Sequence, residues 1–405
     1  MPSPYDALVS DPGPLGDPFE GMPFLGDIAR MLGQQGGDGW EGARQLAISV
    51  ATGGTSEDNV DPLERIRIEQ LARVAELRVA DVTGLSTSVG GRAVSVVPVN
   101  RTRWAMETLQ AYRPLMERLT SALGPQPDPD DQDEASGDPL GGMLAGMLQM
   151  FQPMVLSMTA GSMVGHLAQR ALGQYDLPIP RPSTGPEADE LLLVVPNLDE
   201  FAEGWSLPPD DVRLWICVHE VAHHAVLAVP TVRARLDDLL DRHVSGFRSD
   251  PSGLHERIAG IDLSDPGAMA DLQEALGSPE VVLGAITSPE QARLRPELDA
   301  LVAVVVGVVD HVVDVVGSEL IPSCTMLSEA LRRRRVESSE ADRFVERLLG
   351  LELSQATYDR GTAFVDGVLE RAGDDGLRRL WTDADHLPTP AEVDAPGLWL
   401  ARIDL

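Results

Sequence analysis

The chain has 405 residues, enough to bury a large core, and a net charge of −32 from 64 acidic against 32 basic residues. A surface of that sign repels phosphate backbones and anionic headgroups, so neither nucleic acid nor a membrane is an expected partner. Lysine is absent, and the two cysteines, Cys217 and Cys324, exclude a disulfide framework and a thiolate zinc ribbon and fit a reducing, cytoplasmic setting.

The N-terminus, "MPSPYDALVSDPGP", has neither a basic region nor an apolar core, so no secretory signal is expected. Residues 1–39, rich in Gly, Pro and Asp, read as a partly ordered arm, and 40–405 as one domain. Apolar spacing predicts helices over 40–49 and 61–83, the second started by Asp61-Pro62 and buried through Ile66, Leu71, Val74, Leu77 and Val82. "AVSVVPV", 93–99, alternates as a short strand, and 101–123 returns to helix. The acidic, proline-rich stretch 124–139 reads as a disordered insert.

The segment 140–169 lacks charge and carries Met143, Met147, Met150, Met154, Met158 and Met163. At helical spacing, methionines of this kind read as core packing more readily than as a groove. "ELLLVVPNL", 190–198, is the strongest predicted strand, and Ser206–Asp211 caps the helix that follows. Further helices are expected at 232–246, 265–276, 289–316, 327–334, 340–350, 354–372 and 376–383. The wholly apolar run 301–309 meets Asp310, His311 and Asp314 before it reaches spanning length, which favours a buried core helix. The run Arg332–Arg335 reads as a solvated helix end. The fold class expected is mainly α with a small β-sheet.

Chemistry concentrates in "WICVHEVAHHAV", 215–226. Residues four apart on a helix stack about 6 Å apart, so His219 and His223 are placed to hold one ion. Zinc favours such nitrogen ligands, and Glu220 beside them suits a general base toward a metal-bound water. His224 lies about 140° round the helix and is not expected to ligate. A catalytic zinc takes three protein ligands, and the richest source of a third is "VVVGVVDHVVDVVGSE", 304–319, with Asp310, His311 and Asp314. Oxyanion stabilisers are sought among Tyr358 and Arg360. On residues alone, two classes stay open: a zinc hydrolase acting on a peptide or protein substrate, and a non-catalytic scaffold or interaction protein.

The set "HEVAHH", "GVVDHVVDVVG", "EALRRRR", "ERLLGLELSQATYDRGTAFVDGV" and "LPTPAEVDAPGLWLAR" resembles the actinobacterial zincin-like metallopeptidase type 2 family. Some of its members are labelled as associated with deazaflavin coenzyme biosynthesis. The resemblance implies a mostly helical zincin-like fold, Zn²⁺ on His219 and His223, Glu220 as base, and Asp310 at or just behind the metal. It also implies a glutamate ligand four residues before Asp310, where this chain has Val306. Either Asp310 or His311 then supplies the third ligand, or the site holds metal weakly, or catalysis has been lost.

Overall fold

The computed structural model describes residues 39–87, 94–123, 154, 156–179, 190–249, 285–286, 288–336, 346, 348–351 and 353–404. The arm up to residue 38, the acidic insert, the first half of the methionine-rich segment and the helix expected at 265–276 lie outside these residues, as does most of the helix expected at 340–350.

Helices dominate, as composition and periodicity predict. In chain order they are α1 (Gly39–Ala51), α2 (Pro62–Thr83), α3 (Arg101–Leu123), α4 (156–168), α5 (Val195–Gly204) and α6 (Pro209–Leu227). Then come α7 (Pro230–Ser245), α8 (Pro289–Leu320), α9 (Cys324–Val336), α10 (Gln355–Arg378), α11 (Pro390–Val393) and α12 (Pro396–Ile403). Strands β1 (Ser95–Val99) and β2 (Glu190–Val194) pair in parallel, from Ser95 opposite Glu190 to Val99 opposite Val194. A two-residue pair, β3 (Arg248–Ser249) and β4 (Ala285–Ile286), is antiparallel.

The predicted strand 190–198 is half strand and half helix. β2 stops at Val194, and Pro196 sits in the first turn of α5. Proline has no N–H to give a ladder, and its fixed φ suits a helix start. The two helices expected at 354–372 and 376–383 are both present within α10, separated by a break at Gly373, whose φ of 63° and ψ of −166° are non-helical; the second ends at Arg378 and a 3-10 turn, Arg379–Trp381, follows. A glycine takes that conformation at low cost.

On α2 the predicted face is corrected. Ile66 is 54% exposed, Val74 39% and Leu77 68%, while Ile68, Ala72, Ala75 and Val79 are buried. The helix packs through its small residues against α6, and a row of alanines allows closer backbone approach than a row of leucines. Ile66, Val74 and Leu77 are left outside, while Leu71 and Val82 are partly buried against the core.

α8 is the spine. Its start carries a capping box between Ser288 and Gln291. It is long and apolar enough to cross a membrane, and 78% of its most apolar window is buried inside the fold. Gly307 of α8 and Gly361 of α10 let these two helices cross closely: a Cβ on Gly361 would lie 2.1 Å from the Ala303 carbonyl oxygen. α6 packs against α2 and α8, so most of its residues are buried. Arg213 ties it to its neighbours, bonding Glu64 of α2 and Asp199 of α5.

Candidate active-site cavity

Prolines delimit α6 at both ends. Pro208-Pro209 opens it with Asp210 and Asp211 in the first turn, where the helix dipole favours negative charge. Pro230 starts the next helix, bent by 85° from α6. Asp211 accepts from the Ser323 N–H and hydroxyl, anchoring this end of α6 to the start of α9. The helix therefore arrives at the centre of the fold in one orientation.

The rings of His219 and His223 converge as the spacing predicts, with centroids 4.4 Å apart. Each is clamped by an aromatic ring. Trp215, one turn earlier, stacks on His219 at 5.0 Å, and Tyr175 stacks on His223 at 5.6 Å. His223 Nδ1 lies 3.2 Å from the His219 carbonyl. A carbonyl only accepts, so Nδ1 carries the proton and Nε2 is the lone-pair nitrogen. Burial holds both imidazoles neutral: His219 is lowered to about 4, with Arg335 adding to the effect, and His223 is lowered well below its ordinary value. His224 is buried on the other side, its Nδ1 3.2 Å from the Tyr175 hydroxyl.

Glu220 is fully buried. Its Oε2 accepts from the backbone N–H groups of Gln174 and Tyr175 at 2.8 and 2.9 Å, and its Oε1 lies 3.2 Å from His219 Nδ1. Burial, reinforced by Asp176, pushes this carboxyl well above the usual range, against those two N–H donors. A Cβ on Gly173 would lie 2.4 Å from the Glu220 carboxyl, so only glycine lets the loop close over it. The same loop bonds β2, because Val194 N–H donates to the Leu172 carbonyl.

His219 and His223 line a cavity of about 130 Å³ together with Val306, Arg334, Arg335 and Tyr358, among others. Val306 is buried in its wall, so valine stands beside the imidazoles where the family resemblance implies a glutamate. Asp310, one turn further along α8, gives both carboxylate oxygens to Arg335, at 2.9 and 3.0 Å. The Arg335 guanidinium also lies 3.9 Å over the Tyr358 ring. His311 turns into a separate small hollow with Val82, Thr83 and Trp381. Of the two oxyanion candidates, Tyr358 reaches the cavity, and burial pushes its hydroxyl up to about 12, so it stays a neutral donor. Arg360 is engaged by Asp394 and the Pro390 carbonyl.

The family resemblance implies a zinc ion, and the donors present decide whether one fits. Two neutral imidazoles are suitable ligands. Val306 offers nothing, Asp310 is neutralised by a guanidinium, and Glu220 has both oxygens bonded within the protein. Asp176, also at the cavity, accepts from the Leu172 N–H and faces Arg334. Among the described residues no three His, Cys, Asp or Glu side chains form a group able to hold a metal ion. The set does not fit a three-ligand catalytic zinc.

Sequence reading missed the loop residues Gly173, Gln174 and Tyr175 and the inward half of the arginine run. The stacking of Trp215 on His219 was the one readable signal, since the two are four residues apart on one helix.

The comparisons agree with this architecture. A family model described as zincin-like metallopeptidase matches residues 39–400, and the chain belongs to that family. A crystal structure from Chloroflexus aurantiacus, provisionally called a hydrolase and described as having a novel fold, shares the fold. It superposes with a TM-score of 0.61 at 24% identity, over 90% of this chain and 98% of that one. No protein of curated function matches the chain.

Proposed function

We propose that this member of the zincin-like metallopeptidase family keeps the peptidase scaffold as a peptide-binding protein, with a metal centre too degenerate for zinc hydrolysis. The observation that carries this reading is the buried Val306 side chain beside His219 and His223, with Asp310 clamped by Arg335 behind it. A zinc held by two imidazoles and water binds weakly, because each protein ligand lost removes a large share of the binding free energy.

A second reading, the hydrolase that the family assignment suggests, is favoured by one detail: His223 presents Nε2 as a neutral lone pair, the form a metal needs. Assay separates the two. Purified protein incubated with added zinc and a mixed fluorogenic peptide library is expected to give no cleavage above that of a Glu220→Gln variant. Cleavage that the wild type performs and Glu220→Gln does not would replace the binding-protein reading with the hydrolase.

A further inference from the structure

The run Arg332–Arg335 splits in two. Arg332 and Arg333 are each 60% exposed and pair with Glu329 on the outside of α9. Arg334 and Arg335 turn the other way, into the wall of the cavity. They share that wall with Arg170 and with the carboxylates of Asp176 and Glu346, so what matters is which guanidinium donors are left for a ligand rather than net charge. Arg334 and Arg335 are not equally committed. Arg335 spends both Nη groups on Asp310. Arg334 bonds only through Nη2, to the Arg170 carbonyl and to Asp176 at a long 3.4 Å. Its Nε and Nη1 donate to no group among the described residues.

We propose that the cavity receives the terminal carboxylate of a peptide, with Arg334 as its principal ligand and the Tyr358 hydroxyl as a second donor. This rests on the peptide-binding reading above and names the part of the peptide that is recognised. A guanidinium fork matches a carboxylate in plane and spacing, and such pairs are roughly twice as strong as neutral hydrogen bonds. A monoanion suits the site better than a phosphate dianion, because Asp176 stands beside Arg334 and repels a second negative charge. The wall also carries Arg170, Asp176 and Glu346, and beside them Leu177, Ile216, Leu331 and Leu353 form an apolar part that accepts a small hydrophobic C-terminal side chain.

The test is an NMR titration of the full chain, following the Val306 and Leu331 methyls and the Arg334 Nε–H group. The probes are N-acetylalanine, N-acetylalaninamide, the α-amide of N-acetylaspartate and inorganic phosphate. Saturable shifts with N-acetylalanine, and binding at least about tenfold weaker for the other three, are expected from loss of a charged hydrogen-bonded pair. Arg334→Gln should weaken N-acetylalanine by about tenfold or more, while Arg333→Gln, on the outer face, leaves it unchanged. Methyl spectra without ligand verify that each variant is folded. Equal binding of the amide, tighter binding of the aspartate amide or phosphate, or full binding by Arg334→Gln would each overturn the proposal. Stoichiometric zinc or Glu220-dependent cleavage would instead overturn the binding-protein reading, whatever the titration shows.

Discussion

At the scale of single residues, the cavity is a set of ionisable groups held away from their ordinary charge states. Glu220 is the extreme case, with its carboxyl raised well above 4.5. The folded chain thus binds this proton more tightly than the unfolded chain. Its contribution to stability is complete below the unfolded value and is lost as pH rises through the raised folded value. Glu220→Gln keeps the shape and an acceptor for the Gln174 and Tyr175 N–H groups without the buried charge. The variant should be more stable than the wild type to urea at about pH 8 and equal to it near pH 4. A wild type that is the more stable at pH 8 would mean that an ionised Glu220 is favoured by something else, such as a bound cation. His219 runs the opposite way. Its folded value of about 4 lies below the ordinary 6.5, so stability falls as pH drops through that window, and His219→Gln should flatten this part of the profile. The histidines and Glu220 were legible in the sequence because one helix carries them at a fixed period. Arg334 and Arg335 were not, since a run of four identical charges gives no sign of which side chains turn inward.

At the scale of elements, α6 and the loop at Gly173 form one unit. Gly173→Ala would drive a methyl into the Glu220 carboxyl, so the loop must withdraw and its two N–H donors with it. A loss of about 2 kcal/mol or more in urea unfolding is expected, in line with forcing an extra group into a packed site. Gly361→Ala should cost about 1–3 kcal/mol for the same reason at the α8–α10 crossing, where a methyl meets the Ala303 carbonyl. Unchanged unfolding midpoints would show that these approaches are looser than drawn. Helix positions were readable from periodicity, and α3 runs over the residues expected, Arg101–Leu123. The buried face of α2 was not. Periodicity marked Ile66, Val74 and Leu77 as core, but it cannot weigh a bulky stripe against an adjacent alanine stripe that packs more closely. β2 was cut short for a local reason: "VVP" is apolar enough for a strand, and Pro196 decides for helix.

At the scale of the whole molecule, a net charge of −32 acts against compaction. Raising ionic strength from about 0.01 M to about 0.15 M shortens the screening length from roughly 30 to 8 Å, and the melting temperature should rise with it. A flat or falling salt response would show that the many surface arginine–carboxylate pairs outweigh the global repulsion. The family was legible because its motifs recur from His219 to Arg402, almost wholly within the residues 39–400 that the family model matches. The state of its centre was less so, because it depends on where Asp310 points, and a spacing of four on α8 does not reveal an arginine from α9. In the proposed reading, Val306 leaves the two histidines without a third ligand. The most direct measurement is zinc content per chain after exhaustive dialysis, for the wild type and for Val306→Glu. Far less than one zinc per wild-type chain is expected, with a marked gain in the variant. One zinc retained per wild-type chain, lost on His219→Ala, would contradict it.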